Sequence, residues 1–287
     1  MSMPRINVGT WFENLVNWLT DNLSWLFDAI GSAVEGTVNG LADLLLWPPA
    51  LGLIAALAVA ALWLRGWRFA LFTLLGLALI DSMRQWEPAM ETLALVLVAS
   101  VISVVLAIPL GIAAARSDSL SRVLRPALDL MQTMPAFVYL IPAVFFFSIG
   151  PVPGVVATVV FALPPGVRLT ELGIRGVDRE VVEAGEAFGS PPRRILTRIQ
   201  LPLAMPTVMA GVNQVIMLAL SMVVIAGMVG AGGLGNVVLD GIQRLEIATG
   251  FEGGLAVVIL AIFLDRITSS LGDRSAVARA EKASARA

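Results

Sequence analysis

Hydrophobic and polar positions along the chain fall into three regimes, and each predicts a different kind of element. From Trp11 to about Val34 the apolar residues Phe12, Leu15, Val16, Leu19, Leu23, Leu26, Phe27 and Ile30 gather on one side of a helix, opposite Glu13, Asn17, Asp21, Ser24, Asp28 and Glu35. Trp11, Trp18 and Trp25 mark the border between the faces. That arrangement suits a helix lying in the lipid headgroup layer, and a helix packed on its own protein would show the same stripe. Beyond it come continuous apolar stretches at about 50–64, 67–83, 89–115, 130–149, 153–168, 205–229 and 253–271. A bilayer needs roughly 20 residues, so the first two are short, with Pro48-Pro49 as entry and Arg65-Gly66-Trp67-Arg68 as a tight turn between them. The pattern predicts an all-α membrane protein with about seven transmembrane helices. A loop over 116–129 and a short interfacial helix over Asn236–Leu245 complete it.

The third regime is a polar island, EAGEAFGSPPRRILTRIQLP at 183–202. Its grammar is helix, sharp turn, helix: Asp178 caps a first helix, Gly189 is free to take positive φ, and Ser190-Pro191-Pro192 restarts the chain. Two short helices are expected to lie across one membrane face.

Composition narrows the function. With 57% hydrophobic and 14% charged residues, the chain is far more apolar than a soluble domain. The only lysine is Lys282, so no phosphate-binding G-x-x-x-x-G-K-[ST] loop exists, and with no His and no Cys the common zinc sites and nucleophile triads are excluded. No enzyme, metal site, cofactor or nucleic-acid partner is expected. Gly230, Gly232 and Gly235 satisfy G-x-G-x-x-G, but they follow a membrane helix rather than a strand, so a turn at a helix end is the better account. If the polar island lies inside, sixteen of the nineteen basic residues fall on that side, leaving only Arg5, Arg84 and Arg244 outside. The N-terminus is then external and the C-terminus cytoplasmic.

The island resembles the EAA motif of ABC-importer permeases in the residues Glu183, Ala184, Gly189, Ile199, Leu201 and Pro202, with Gly185 where the family usually has a second alanine. A glycine there loosens the helical turn slightly. The resemblance extends over QTMPAFVYLIPAVFFFSIG at 132–150, MVGAGGLGNVVLDGIQRLE at 228–246 and LAVVILAIFLDRIT at 255–268. These look like the permease subunit of glycine betaine/proline betaine importers of bacterial inner membranes. The family implies a five-helix core, here 87–271, with the ATPase-coupling elbow at 171–203. An external tail at 1–48, two accessory helices at 49–86 and a cytoplasmic tail at 272–287 flank it. It further implies a second permease copy in a homodimer, two ATPase subunits, an external substrate-binding protein and a role in osmoprotection.

Residues 92–115, 130–167, 205–239 and 253–264 carry no ionisable side chain, which argues against an ion-coupled carrier. It also argues against a bare cation such as choline, because desolvating an unpaired charge is costly. A zwitterion carries its own countercharge. Tyr139, Phe145 and Phe146 could attract its ammonium through cation–π contacts, while Asn213, Gln214 and Ser221 could bond its carboxylate. Such residues also commonly bond helix to helix. Prolines 109, 142, 164 and 165 are expected to kink their spans.

Overall fold

A chain this apolar must satisfy its backbone hydrogen bonds within each segment, and helices do so. The computed structural model describes residues 7–272; Arg5 and the expected tail beyond Gly272 lie outside the described residues. In order the helices are α1 (Val8–Leu46), α2 (Ala50–Arg65), α3 (Trp67–Ser82), α4 (Trp86–Arg116), α5 (Asp118–Thr133), α6 (Ala136–Phe147), α7 (Pro151–Arg175), α8 (Arg179–Ala187), α9 (Pro192–Ile195), α10 (Leu201–Ala226), α11 (Gly233–Gln243) and α12 (Ile247–Gly272). Wider π turns at Leu196–Gln200 and Gly227–Ala231 flank α10.

Among the described residues four helical runs, 86–116, 151–175, 192–231 and 247–270, are long and apolar enough to cross a bilayer, and two sharply bent pairs raise the number to as many as six. The expected count of about seven differs in three places. The stretches 50–64 and 67–83 form helices of only 16 residues each, the first counting as a span only together with α1. The stretch 130–149 is divided, with α5 and α6 meeting at 100°. The division falls at Met134, extended at ψ 134°, because a proline at the next position disfavours the α region for the residue before it. The expected loop over 116–129 is therefore mostly helix α5, started by Ser117, whose hydroxyl accepts from the Leu120 amide at 3.3 Å.

Helix α4 and helix α7 form the centre of the bundle with α10, burying Met90, Leu95, Val155, Val215 and Met222. A Cβ on Gly111 would come within 2.5 Å of Thr170 Cβ, and one on Gly166 within 2.8 Å of Ala107 Cβ. Backbones crossing this closely require small residues, as membrane helix pairs often do. On the outside, α12 packs α3 through Phe69 and Phe263, whose rings stack at 6.3 Å.

The first helix is longer than its amphipathic pattern predicts, with a break in helical geometry at Leu23. Its two halves are buried to different extents. Trp11, Trp18 and Trp25 are exposed, whereas Val34 and Val38 are buried in the main core, and Phe27 stacks on Phe146 at 4.6 Å. Helix α1 meets α2 at 97°.

The glycine-rich motif is a turn between α10 and α11, as its context requires. Gly230, Gly232 and Gly233 all have positive φ. The first free amides of α11 are taken up by α4: Gly233 N–H donates to Glu91 Oε2 at 2.9 Å, and Leu234 N–H to Thr92 Oγ1 at 2.8 Å. These caps start the helix three residues before the predicted Asn236 and tie the start of α11 to the first turns of α4.

Candidate functional site

The polar island folds into an elbow at one end of the bundle. Helix α7 ends at Arg175, and Asp178 Oδ1 accepts from the Glu180 amide at 2.9 Å, capping α8. Helix α8 closes with the Gly189 amide bonded to Glu186 O at 2.8 Å and Ser190 to Gly185 O at 3.1 Å. That closure needs a left-handed residue, and Gly189 supplies it at φ +72°. The chain then restarts at Pro192.

The second arm differs from the expected separate short helix. It runs through the π turn directly into α10, so that 192–231 is one helical run. Proline at position 202 lacks an N–H and crowds the carbonyl four residues back. The ladder widens there, and the Leu201 amide bonds Leu196 O, five residues back. The elbow's second arm and the membrane helix are thus mechanically continuous.

Gly185 does more than loosen a turn. A Cβ on it would meet Ile199 Cδ1 at 2.7 Å, so the glycine lets α8 settle against the second arm. Ile195 and Leu196 are buried there, and Leu201 packs with Ile174, Ala204 and Val208. Pro202 is exposed. Glu183 is exposed and lines a cleft of about 390 Å³ with Ile174, Arg175, Arg179, Val182, Glu186 and Gln200, between α8 and the ends of the bundle. Ala184 lies exposed on another side of α8.

One turn above the elbow sits a charge cluster that the sequence reading did not single out. The Glu171 side chain is only 9% exposed; its Oε1 accepts from Ser121 Oγ at 2.7 Å and from Arg175 Nε at 3.0 Å. Arg175 also reaches Asp118 at 2.7 Å and donates to Ala114 O at 2.8 Å. Hydrogen bonding and attraction from Arg175 hold the exposed Asp118 carboxyl below the usual carboxylate range. Arg168 pairs with Asp129. Through these contacts α7, which leads into the elbow, grips the end of α4 and the start of α5. The four-residue spacing of Glu171 and Arg175 was the one signal available in the sequence.

The expected pathway residues separate into two groups. Tyr139 is buried, its hydroxyl donating to Met131 O across the α5–α6 bend. Asn213 is committed between helices: its amide donates to Asp265 Oδ1 at 3.1 Å and its carbonyl accepts from Thr268 Oγ1 at 2.6 Å. Phe146 is stacked on Phe27, and Phe145, 69% exposed, faces Phe12 and Val16 of α1 across a cavity of about 270 Å³. Tyr139, Asn213 and Phe146 thus each contact another helical segment, while Phe145 borders an open cavity. Gln214 and Ser221 remain, both exposed and seven residues apart on one face of α10. Ser221 Oγ donates to Met217 O of its own helix at 3.1 Å. Among the described residues no group of three acidic side chains is placed to hold a metal ion.

Residues 107–276 match the family described as binding-protein-dependent transport system inner membrane component. The chain is 49% identical over 269 residues to the glycine betaine transport system permease protein OpuAB of Bacillus subtilis, covering 94% of this chain and 95% of that one. It is 48% identical to the glycine betaine/proline betaine transport system permease protein ProW of Escherichia coli, covering 93% of this chain and 75% of that one. Among solved structures, a chain of the MetNI methionine ABC transporter in an inward-facing conformation superposes with a TM-score of 0.56 at 25% identity, over 66% of this chain and 92% of that one.

Proposed function

The chain belongs to the binding-protein-dependent transport system inner membrane component family, and from that membership we propose that it is the permease subunit of an ATP-driven importer for glycine betaine or a close zwitterionic relative. The observation that carries the reading is the elbow, a capped helix and a glycine turn feeding straight into membrane helix α10, in a chain nearly half identical to betaine permeases. Its fold is a helical membrane bundle with no nucleotide-binding loop of its own, so hydrolysis belongs to a separate ATPase subunit.

The assembly comprises two copies of this chain, two ATPase subunits at the elbow end and a binding protein at the end carrying α11. Helix α1 rests at the outer headgroup layer through its exposed tryptophans. Solute compatible with the apolar spans carries no net charge, and the exposed face of α10 with Gln214 and Ser221 lines the route where two copies meet. Osmoprotection is the physiological use that a betaine importer serves.

Uptake of labelled glycine betaine and choline into proteoliposomes containing this subunit, its ATPase and its binding protein tests the substrate. Betaine uptake that requires ATP is expected. Choline uptake without betaine uptake would overturn the substrate class, and uptake with the ATPase omitted would overturn the importer.

Orientation is tested separately. The chain lacks cysteine, so single cysteines at Asn39, Ser119, Ser190, Asn236 and Ser275 report without background. External maleimide is expected to label Asn39→Cys and Asn236→Cys in intact cells, and the other three only after permeabilisation. Outside labelling of Ser190→Cys contradicts the orientation.

A further inference from the structure

Helix α1 touches α6 on both sides of its break. At Leu23 the backbone leaves helical geometry, with φ -121° and ψ 20°, and this redirects the arm that precedes it. After the break, Phe27 holds the end of α6 from two directions, stacked on Phe146 at 4.6 Å and edge-on to Phe147 at 5.7 Å. Phe145 is left out of that clamp, and its ring stays 69% exposed beside the arm.

The arm and α6 border a cavity of about 270 Å³, lined by Phe12, Glu13, Val16 and Asn17 from α1 and by Ile141 and Phe145 from α6. Residues three and four apart share a face of a helix, so positions 12, 13, 16 and 17 form one wall. Val16 and Ile141 are apolar, and each wall adds an aromatic ring, Phe12 on one side and Phe145 on the other. The Glu13 carboxylate and the Asn17 amide stand one turn apart. Both residues are exposed, and among the described residues neither side chain has a hydrogen-bond or ion-pair partner. Aromatic faces attract an ammonium ion, a carboxylate neutralises it, and an amide N–H can donate to an anionic group. The volume lies just under the about 300–1,000 Å³ of sites for drug-sized ligands, which suits a small head group.

We propose that this cavity binds the ammonium group of a zwitterion, held between Phe12 and Phe145 with Glu13 as its countercharge, while Asn17 bonds the anionic half. Two sources carry that chemistry. One is the ethanolamine headgroup of a phospholipid, in the layer where the exposed Trp11 and Trp18 place the arm. The other is a free methylated ammonium solute, and this source rests on the substrate proposed above. An anion without an amine is not expected to bind, because Glu13 repels it.

The test uses the full-length permease in nanodiscs without its partners, with 4-fluorophenylalanine at position 145 as a fluorine NMR reporter. In discs of phosphatidylglycerol alone, tetramethylammonium chloride and glycine betaine are expected to shift the reporter saturably, at concentrations where sodium chloride does not. A reporter already shifted in discs containing phosphatidylethanolamine, with weaker solute binding there, identifies the headgroup as the occupant. Solute binding that is equal in both discs identifies the free solute. Phe12→Leu and Glu13→Gln are each expected to weaken binding about 3- to 10-fold, and Phe12→Trp to retain it. Phe12 and Glu13 are exposed, so the variants should melt as the parent does. No response to either solute or to phosphatidylethanolamine overturns the site, as does a response that Phe12→Leu and Glu13→Gln leave unchanged. ATP-dependent betaine uptake by the same permease with its partners would then leave the importer reading standing. Ammonium binding at position 145 without any betaine uptake overturns that reading and not the site.

Discussion

Gly189→Val is expected to abolish transport while leaving the chain inserted and the ATPase catalytically active. No atom lies within 4 Å of a Cβ built at Gly189, so the effect is conformational rather than steric. At φ +72° a β-branched residue costs on the order of 1–3 kcal/mol. The chain escapes that cost by rotating out of the left-handed region. The bonds from Gly189 to Glu186 and from Ser190 to Gly185 then open, and α8 loses its fixed angle to the second arm. Since that arm is continuous with α10, a stroke on α8 no longer reaches the membrane helices. Uptake should fall to background, and ATPase activity should stop responding to the loaded binding protein. Gly189→Asn, which tolerates the left-handed conformation, should retain most activity. Parent-level uptake in Gly189→Val would show that the elbow does not transmit the stroke.

Gly235→Ala is expected to be the most destabilising single methyl group that can be added to this chain's α10–α11 junction. Its Cβ would sit 2.1 Å from Val224 O and 3.0 Å from Gly227 Cα. Both are backbone, so no side-chain rotation relieves the clash, and α11 must part from the end of α10. That movement strains the caps from Glu91 and Thr92 that hold the start of α11. Overpacking of this kind costs about 3 kcal/mol or more, which lowers the melting temperature by about 6–12 °C for a chain of this size. Gly254→Ala supplies the control. It lies inside α12 with nothing within 4 Å of its Cβ, and alanine there should be neutral or slightly stabilising. Equal melting temperatures for the two variants in nanodiscs would refute the close approach at Gly235.

By itself the sequence determined the helical membrane character, the position and turn of the elbow, and the family. Each of these is written in short-range terms: the length of an apolar run, an aspartate two residues before the amide it caps, a glycine where φ must be positive. Asp178 and Gly189 could be read because their partners lie within a few residues of them. Tertiary structure alone decided where Asn213 spends its amide, since Asp265 and Thr268 are more than fifty residues away. The same holds for Glu171, whose partner Ser121 is on another helix. It decided too that Gly185 makes room for Ile199, because a glycine's missing side chain says nothing about what fills the space. The division of 130–149 into α5 and α6 is intermediate: Pro135 signals a break, but the 100° bend is an outcome of packing, in which Tyr139 bonds back across it to Met131. Helical periodicity predicts which residues share a face of α8. Only the packing of that helix against the second arm leaves Phe188 uncovered and turns Glu183 toward the cleft.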